Sequence, residues 1–232
     1  MALHRTMEIM SKQSNARYLA VLLVLAGPFY LNDFANIHVT DWRAWLAIDY
    51  VAVKLLPLAL IAWLLATRRM APGEFGLTAQ PTASFLAVFA GAAIAGTLID
   101  QNAYHYLSNL GGYDALGGMP AIRSSAWNRF DLSFGLLLVG VTEEFVFRAY
   151  AYTVLRRYAA SAATIVAISA AAFGLIHWSL GLNSVLITAA IGALFMAIYL
   201  RTRSAPALML AHFVVNYIDY AGVIPKSLFR FV

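Results

Sequence analysis

Glu143, Glu144 and Arg148 lie in the middle of an apolar run from Leu132 to Leu155. About 20 such residues cross a ~30 Å hydrocarbon core as a helix, so the run is long enough to span a bilayer. Insertion scales put each charge at the centre of a spanning helix at roughly 2.5 to 3.5 kcal/mol, and three left alone at on the order of 8 to 10 kcal/mol. They must be paired or used. Helical spacing separates them, because Glu144 and Arg148 are four apart and share a face, with the acid N-terminal to the base in the favourable order. Glu143 points about 100° away and is left as the free carboxylate.

Two later apolar runs carry Phe173 with His177, and His212 with Asn216; each pair is four apart and so shares one helix face. Taken singly, each of these groups reads as a structural polar contact between membrane helices. As a set they ask for more, since a Glu-Arg lock leaves a second carboxylate and two histidines without a role, and an intramembrane ionisable group is a functional-site hypothesis by default. The chemistry that fits is water-based acyl transfer. A desolvated carboxylate can take a proton from water, a histidine beside it can hold that water, and a second histidine with an amide can donate to the oxyanion formed at the attacked carbonyl.

The elements that must position these groups are membrane helices. The chain has 232 residues, of which 62% are hydrophobic and 12% charged, with a mean hydropathy of +0.72. That is far more apolar than a soluble domain. The net charge of +5 does not point to nucleic acid, because the basic residues come in pairs between apolar runs instead of along one face. With no cysteine, disulfides, thiolate metal sites and a cysteine nucleophile are excluded. The apolar runs are Tyr18 to Leu31, Ala44 to Ala66, Ser84 to Ile99, Leu132 to Leu155, Ala162 to Trp178, Ser184 to Leu200 and Ala205 to Val223. They predict an all-α polytopic bundle of about seven spans (six to eight).

No small-residue cleavage site follows the first run, so it is read as a retained helix rather than a signal peptide. Pro28 and Pro57 are tolerated inside membrane helices, where neighbouring groups re-satisfy the backbone. Asp100 to Asp131, with Gly111-Gly112, Gly117-Gly118 and Pro120, reads as a long loop with one short interfacial helix.

Arg5, Lys12, Arg17, Arg68, Arg69, Arg156, Arg157, Arg201 and Arg203 fall on the side of the N-terminus, against Arg43, Arg123, Arg129, Lys226 and Arg230 on the other. The richer side is expected to be cytoplasmic, putting the N-terminus inside and the C-terminus outside. Asp33, Asp41, Asp100, Asp114 and Asp131, taken as loop residues, lie on the outer side and agree with this. The organisation expected is a cytoplasmic segment 1–17, variable membrane helices and loops 18–131, a catalytic core 132–223 and a tail 224–232.

The ordered set Glu143-Glu144-Phe-Val-Phe-Arg148, Phe173-Gly-Leu-Ile-His177 and His212-Phe-Val-Val-Asn216 resembles the CAAX-protease and bacteriocin-processing (CPBP, or Abi) group of intramembrane endopeptidases. Gly73-Glu74-Phe75-Gly76-Leu77-Thr78 is similar to a short loop motif that its members often carry ahead of the core. The resemblance covers roughly Asp131 to Val223. It implies a glutamate-dependent protease in which Glu143 activates water, His177 is its partner on that water, and His212 with Asn216 donate to the oxyanion. It also implies that Glu144 and Arg148 hold the helix and orient Glu143, and that Phe173 packs beside His177.

No cofactor is expected. Zinc on the Glu, His, His set is the alternative, disfavoured because no His-Glu-x-x-His pair is present. The expected partners are a peptide or protein cleaved near the membrane and the lipid bilayer, with no nucleic acid, and the expected location is a bacterial plasma membrane. Two other classes stay open: a non-enzymatic scaffold or immunity protein of the same fold, and a transporter, for which inverted repeats are not found.

Other conspicuous residues have plainer expectations. Asp49 and Lys54, five apart, are too far round an ideal helix to pair and are expected to find partners on neighbouring helices. Asp219 is expected to reach water or headgroups. Trp42, Trp45, Trp127 and Trp178 read as interfacial belts, and Phe145, Phe147, Phe173 and Phe195 as helix packing.

Overall fold

Apolar residues on all sides of each run, with turn-formers between them, give helices that bury some faces against one another and leave the rest to lipid. A computed structural model describes residues 2–107, 112–159, 161–225 and 228, with the side chains of 2–14, 104 and 105 left aside. Gly111, Lys226, Arg230 and the side chains of Arg5 and Lys12 therefore lie outside the described residues.

Among the described residues the structure is all-helical, and its long segments join into seven rods: α1 Ala2–His38, α2 Trp42–Ala66, α3 Thr82–Leu107, α4 125–155, α5 Ala162–Leu175, α6 Leu182–Thr202 and α7 Ala205–Ala221. Among the described residues four stretches are long and apolar enough to cross a membrane: Asn15–His38, Trp42–Ala66, Thr82–Ala103 and Leu182–Thr202. Of the others, α4 carries its charges at mid-length, and α5 and α7 have only 14 and 17 residues.

The core of the bundle is α4 to α7 with α3: α5 lies along α6, α7 lies between α3 and α4, and α3 packs on α6. Close approach depends on small residues. Gly140 of α4 sits so near α7 that a Cβ there would come within 2.7 Å of the Met209 carbonyl oxygen. On the other flank, α1 crosses α4 through Phe29 on Phe147 and Tyr18 on Tyr150, and the Tyr30 hydroxyl donates to the Ala172 carbonyl of α5 at 2.8 Å.

Among the described residues three rod sections are π-helical: Tyr50–Leu55 in α2, and Asp131–Gly135 and Phe145–Tyr150 in α4. The first corrects the expectation for Asp49 and Lys54. A π turn closes i to i+5, so residues five apart share a face, and the two form a direct buried ion pair. A neighbouring helix contributes as well, since Lys54 Nζ lies 3.9 Å from Asp131 Oδ1, which also accepts from the Tyr50 hydroxyl at 2.9 Å.

The expected 100–131 loop is shorter than the sequence implied. Helix α3 continues to Leu107, and Ser125–Phe130, capped by Ser124, runs straight into α4 instead of lying as a separate interfacial helix. Asp33, Asp100 and Asp131 accordingly stand in helices and not in loops. Asp41 is a true loop residue. It caps α2 by accepting from the backbone N–H of Ala44 and Arg43 at 3.0 Å each, and these donors, Ala44 first, hold its carboxyl below the ordinary carboxylate range.

At the opposite end of the bundle, Glu74 ties three segments together. It accepts from the Tyr18 hydroxyl at 2.5 Å and from the Ala71 N–H at 2.7 Å, while its carbonyl accepts from Thr153 at 2.9 Å. Phe75 is buried beside it, stacked on Tyr150. The Gly73 to Thr78 stretch is thus a plug that docks on α1, α4 and α6. Gly76 takes a left-handed φ of 68° there, with Tyr199 and Ala205 where a side chain would go.

Candidate active site

The apolar length of α4 delivers Glu143 and Glu144 to the centre of the bundle, and the π turn Phe145–Tyr150 follows them directly. π turns inside α-helices recur at functional sites. Ser169 of α5 donates to the Phe147 carbonyl within this turn at 2.8 Å, satisfying its backbone. Arg148 is wholly buried, with Nε 3.2 Å from Glu144 Oε2 and its guanidinium over the Phe173 ring at 3.9 Å. Phe173 is therefore more than a neighbour of His177, whose ring is 5.5 Å away; it also carries the cation of the Glu-Arg pair.

His212 reaches this pair from α7. Its Nδ1 is 2.9 Å from Glu144 Oε1 and its Nε2 is 3.7 Å from Glu143 Oε2, so the imidazole bridges the two carboxylates. Glu144 thus faces Arg148 with one oxygen and His212 with the other. The Gly140 contact explains how α7 comes so near, since the Met209 to His212 turn lies against the bare backbone of α4 one turn before Glu143. Nothing in the sequence patterning of α4 alone reveals that Glu144 orients a histidine; that takes the α4–α7 register.

A cavity of about 560 Å³ ends on these groups. Glu143, Phe173, His177, His212 and Asn216 all line it. Glu144 and Arg148 lie behind that lining, fully buried. The sequence-predicted set is thus brought to one place. Among the described residues no hydrogen bond or ion pair joins His177 to Glu143; the His177 Nδ1 is 3.2 Å from the Phe173 carbonyl and the ring borders the same space.

The depth of His177 has a simple cause. Helix α5 has 14 residues, which at 1.5 Å each give about 21 Å, well short of a ~30 Å core. It stops at Leu175 rather than at Trp178, and His177 sits in the half-buried turn that follows, ahead of the short 3-10 segment Trp178–Leu180.

The cavity is also lined by Asp49, Lys54, Asp100, Asp131 and Asp219, and by Met119 to Ile122 of the 112–124 segment. Asp219 therefore faces the cavity instead of the headgroups, and it accepts from Gln101 at 3.1 Å. Trp45 also departs from the belt expectation: it is buried and donates from Nε1 to Asn36 at 2.9 Å, while Trp127 is exposed as expected. Among the described residues no group of three or more His, Asp or Glu is gathered in a way that would hold a metal ion.

This arrangement can be set beside known proteins. Residues 125–218 match the family model described as type II CAAX prenyl endopeptidase, Rce1-like. Over that segment the chain is similar to the Rce1-like family. The Rce1-like segment begins at the first residue of α4 and includes every site residue from Glu143 to Asn216, in agreement with the resemblance carried by the three motifs. The family is one of CAAX-type intramembrane endopeptidases, so its members act on peptides. No curated protein and no solved structure matches the chain. The apolar helices make it an integral membrane protein.

Proposed function

We propose that this protein is an intramembrane endopeptidase that hydrolyses a peptide bond with water activated by Glu143. The observation that carries this reading is the His212 bridge between Glu143 and Glu144 at the end of a cavity that His177 and Asn216 also line. A structural lock would need Glu144 and Arg148 only. A carboxylate facing a cavity that two imidazoles and an amide also line is what acyl transfer to water requires.

In the proposed reaction, water held between Glu143 and His177 attacks the peptide carbonyl as Glu143 takes its proton. The oxyanion is met by donors from His212 and Asn216. Glu143 then returns the proton to the leaving amine as the C–N bond breaks. With Nδ1–H given to Glu144, the Nε2 of His212 needs its own proton to donate. Glu144 and Arg148 act by orienting His212 and the α4 backbone. No metal or cofactor has a step in this reading; zinc held by the same side chains is the competing version.

The seven rods are taken as seven crossings, with the arginine-rich end, where Arg68, Arg69, Arg156, Arg157, Arg201 and Arg203 lie, in the cytoplasm. The Met119 to Ile122 part of the cavity lining then lies toward the outer side, and a peptide or protein tail near the outer surface is the substrate class. A prenylated CAAX peptide is one member of that class, supported by the family description alone.

Comparative terminal proteomics of membranes carrying wild-type protein or Glu143→Gln tests the reading. A peptide end present only with wild type is expected. Identical termini from the two would leave a non-enzymatic partner as the better account.

A further inference from the structure

Outside the catalytic set, one buried carboxylate has a clear geometric task. Asp33 of α1 accepts from the Ser179 backbone N–H at 2.6 Å through one oxygen and from the Asn36 amide at 3.0 Å through the other. Asn36 also donates to the Ser179 hydroxyl at 3.0 Å and is itself fixed by Trp45 Nε1. Asp33, Asn36 and Ser179 are all buried. Ser179 lies two residues after His177, in the turn that replaces the missing end of α5.

That turn is pinned from several directions. Trp178 Nε1 donates to the Tyr30 carbonyl of α1 at 3.1 Å, and the Ser179 carbonyl accepts from Leu116 N–H at 2.8 Å. Gly181 closes the turn at a φ of 92°, with the Ala115 backbone 3.0 Å from where a Cβ would stand. A helix of ordinary length would set His177 by its own hydrogen-bond ladder. Here α5 has ended: the His177 N–H still reaches the Gly174 carbonyl at 3.1 Å, but the two residues after it are tied to α1.

We infer that Asp33 and Asn36 are positioning residues for His177: they bind no substrate themselves, but fix the 177–181 turn from α1 so that the imidazole stays at the cavity wall. This rests on the proposed role of His177 in hydrolysis. Misplacement of a catalytic group by about 1 Å can cost about 100-fold in rate, so loss of this tie is expected to appear in kcat.

The test uses an exchange of the two side chains. In Asp33→Asn the new amide faces the Asn36 amide, and in Asn36→Asp two carboxylates face each other; each breaks the tie. The double variant D33N/N36D can keep every hydrogen bond with the 33–36 bond reversed in direction and the Ser179 hydroxyl donating to residue 36 instead of accepting from it. Using the full-length protein in detergent and an internally quenched farnesylated CAAX peptide as probe, each single variant should lower kcat by about 10- to 100-fold with KM within about twofold. The double variant should return kcat to within about threefold of wild type.

Because the chain has no cysteine, a nitroxide on Leu180→Cys reports the turn directly, with no need of a substrate. Its spectrum should show greater mobility in the single variants and wild-type mobility in the exchange. If a single variant does not accumulate, the exchange variant decides alone. Wild-type kcat and spectrum in D33N, a folded exchange variant no better than the singles, or an effect confined to KM would overturn the inference. Failure of the wild type to cleave the probe would count against that substrate, and full activity of His177→Ala against the catalytic reading; neither would disturb the spin-label result.

Discussion

Arg148, Lys54 and Asp33 are buried charges that each meet a specific partner. Arg148 has Glu144 and the face of Phe173, Lys54 has Asp49 and Asp131, and Asp33 has the Ser179 N–H. Removing one member of a buried pair leaves the other uncompensated, which costs about 3 to 5 kcal/mol. Arg148→Met should therefore lower stability by about that amount in chemical unfolding in detergent, and it should lower activity through His212. Asn216→Ala is expected to leave stability nearly unchanged and reduce kcat by about 100- to 1,000-fold, the usual cost of an oxyanion donor. A drop in stability without a drop in kcat would remove Asn216 from the site. Activity should also persist after dialysis against a strong chelator. Loss on chelation with recovery on adding zinc would favour the metal version of the reaction.

At the scale of elements, the site depends on how α4, α5 and α7 meet. Gly140→Ala places a Cβ against the Met209 carbonyl, an overpacking that typically costs about 1 to 3 kcal/mol. It should separate His212 from Glu143 and reduce turnover more than tenfold. Gly91, with open space around it, provides the control. Gly91→Ala should be neutral or stabilising by up to about 1 kcal/mol, since alanine is the better helix former. Equal behaviour of the two variants in unfolding and turnover assays would argue against the α4–α7 contact.

The motif residues were legible from the sequence because helical spacing fixes which side chains share a face, and Glu144 with Arg148 obeys it. Asp49 with Lys54 was misread for the converse reason. A π turn changes the period, and nothing in Tyr50 to Leu55 announces one. The early end of α5 was equally hidden, as Ile176 to Trp178 continue the apolar run while Asp33, Tyr30 and Leu116, distant in sequence, pull the chain out of the helix. Asp33 was read as a loop acid because its partner lies 146 residues away.

The whole molecule separates its two ends by charge. Arginines gather at the end closed by the Glu74 and Phe75 plug, and the cavity with its aspartates is bounded by Met119 to Ile122 at the other. The proposed topology follows from that asymmetry. Single cysteines placed at Thr67 and at Ala121 should be distinguished by a membrane-impermeant maleimide applied to intact cells, with labelling at Ala121 alone. The reverse pattern would turn the protein over and put the cavity on the cytoplasmic side.

The central claim is that Glu143 activates the water that cleaves a peptide. Its most direct test is the cleavage rate of purified, lipid-reconstituted wild type and Glu143→Gln on the peptide whose end depends on the active protein. The account predicts a rate at least about 100-fold lower for the variant, with unchanged thermal stability and with one oxygen from labelled water in the new carboxyl terminus of the wild-type product. A Glu143→Gln rate within a few-fold of wild type would contradict it.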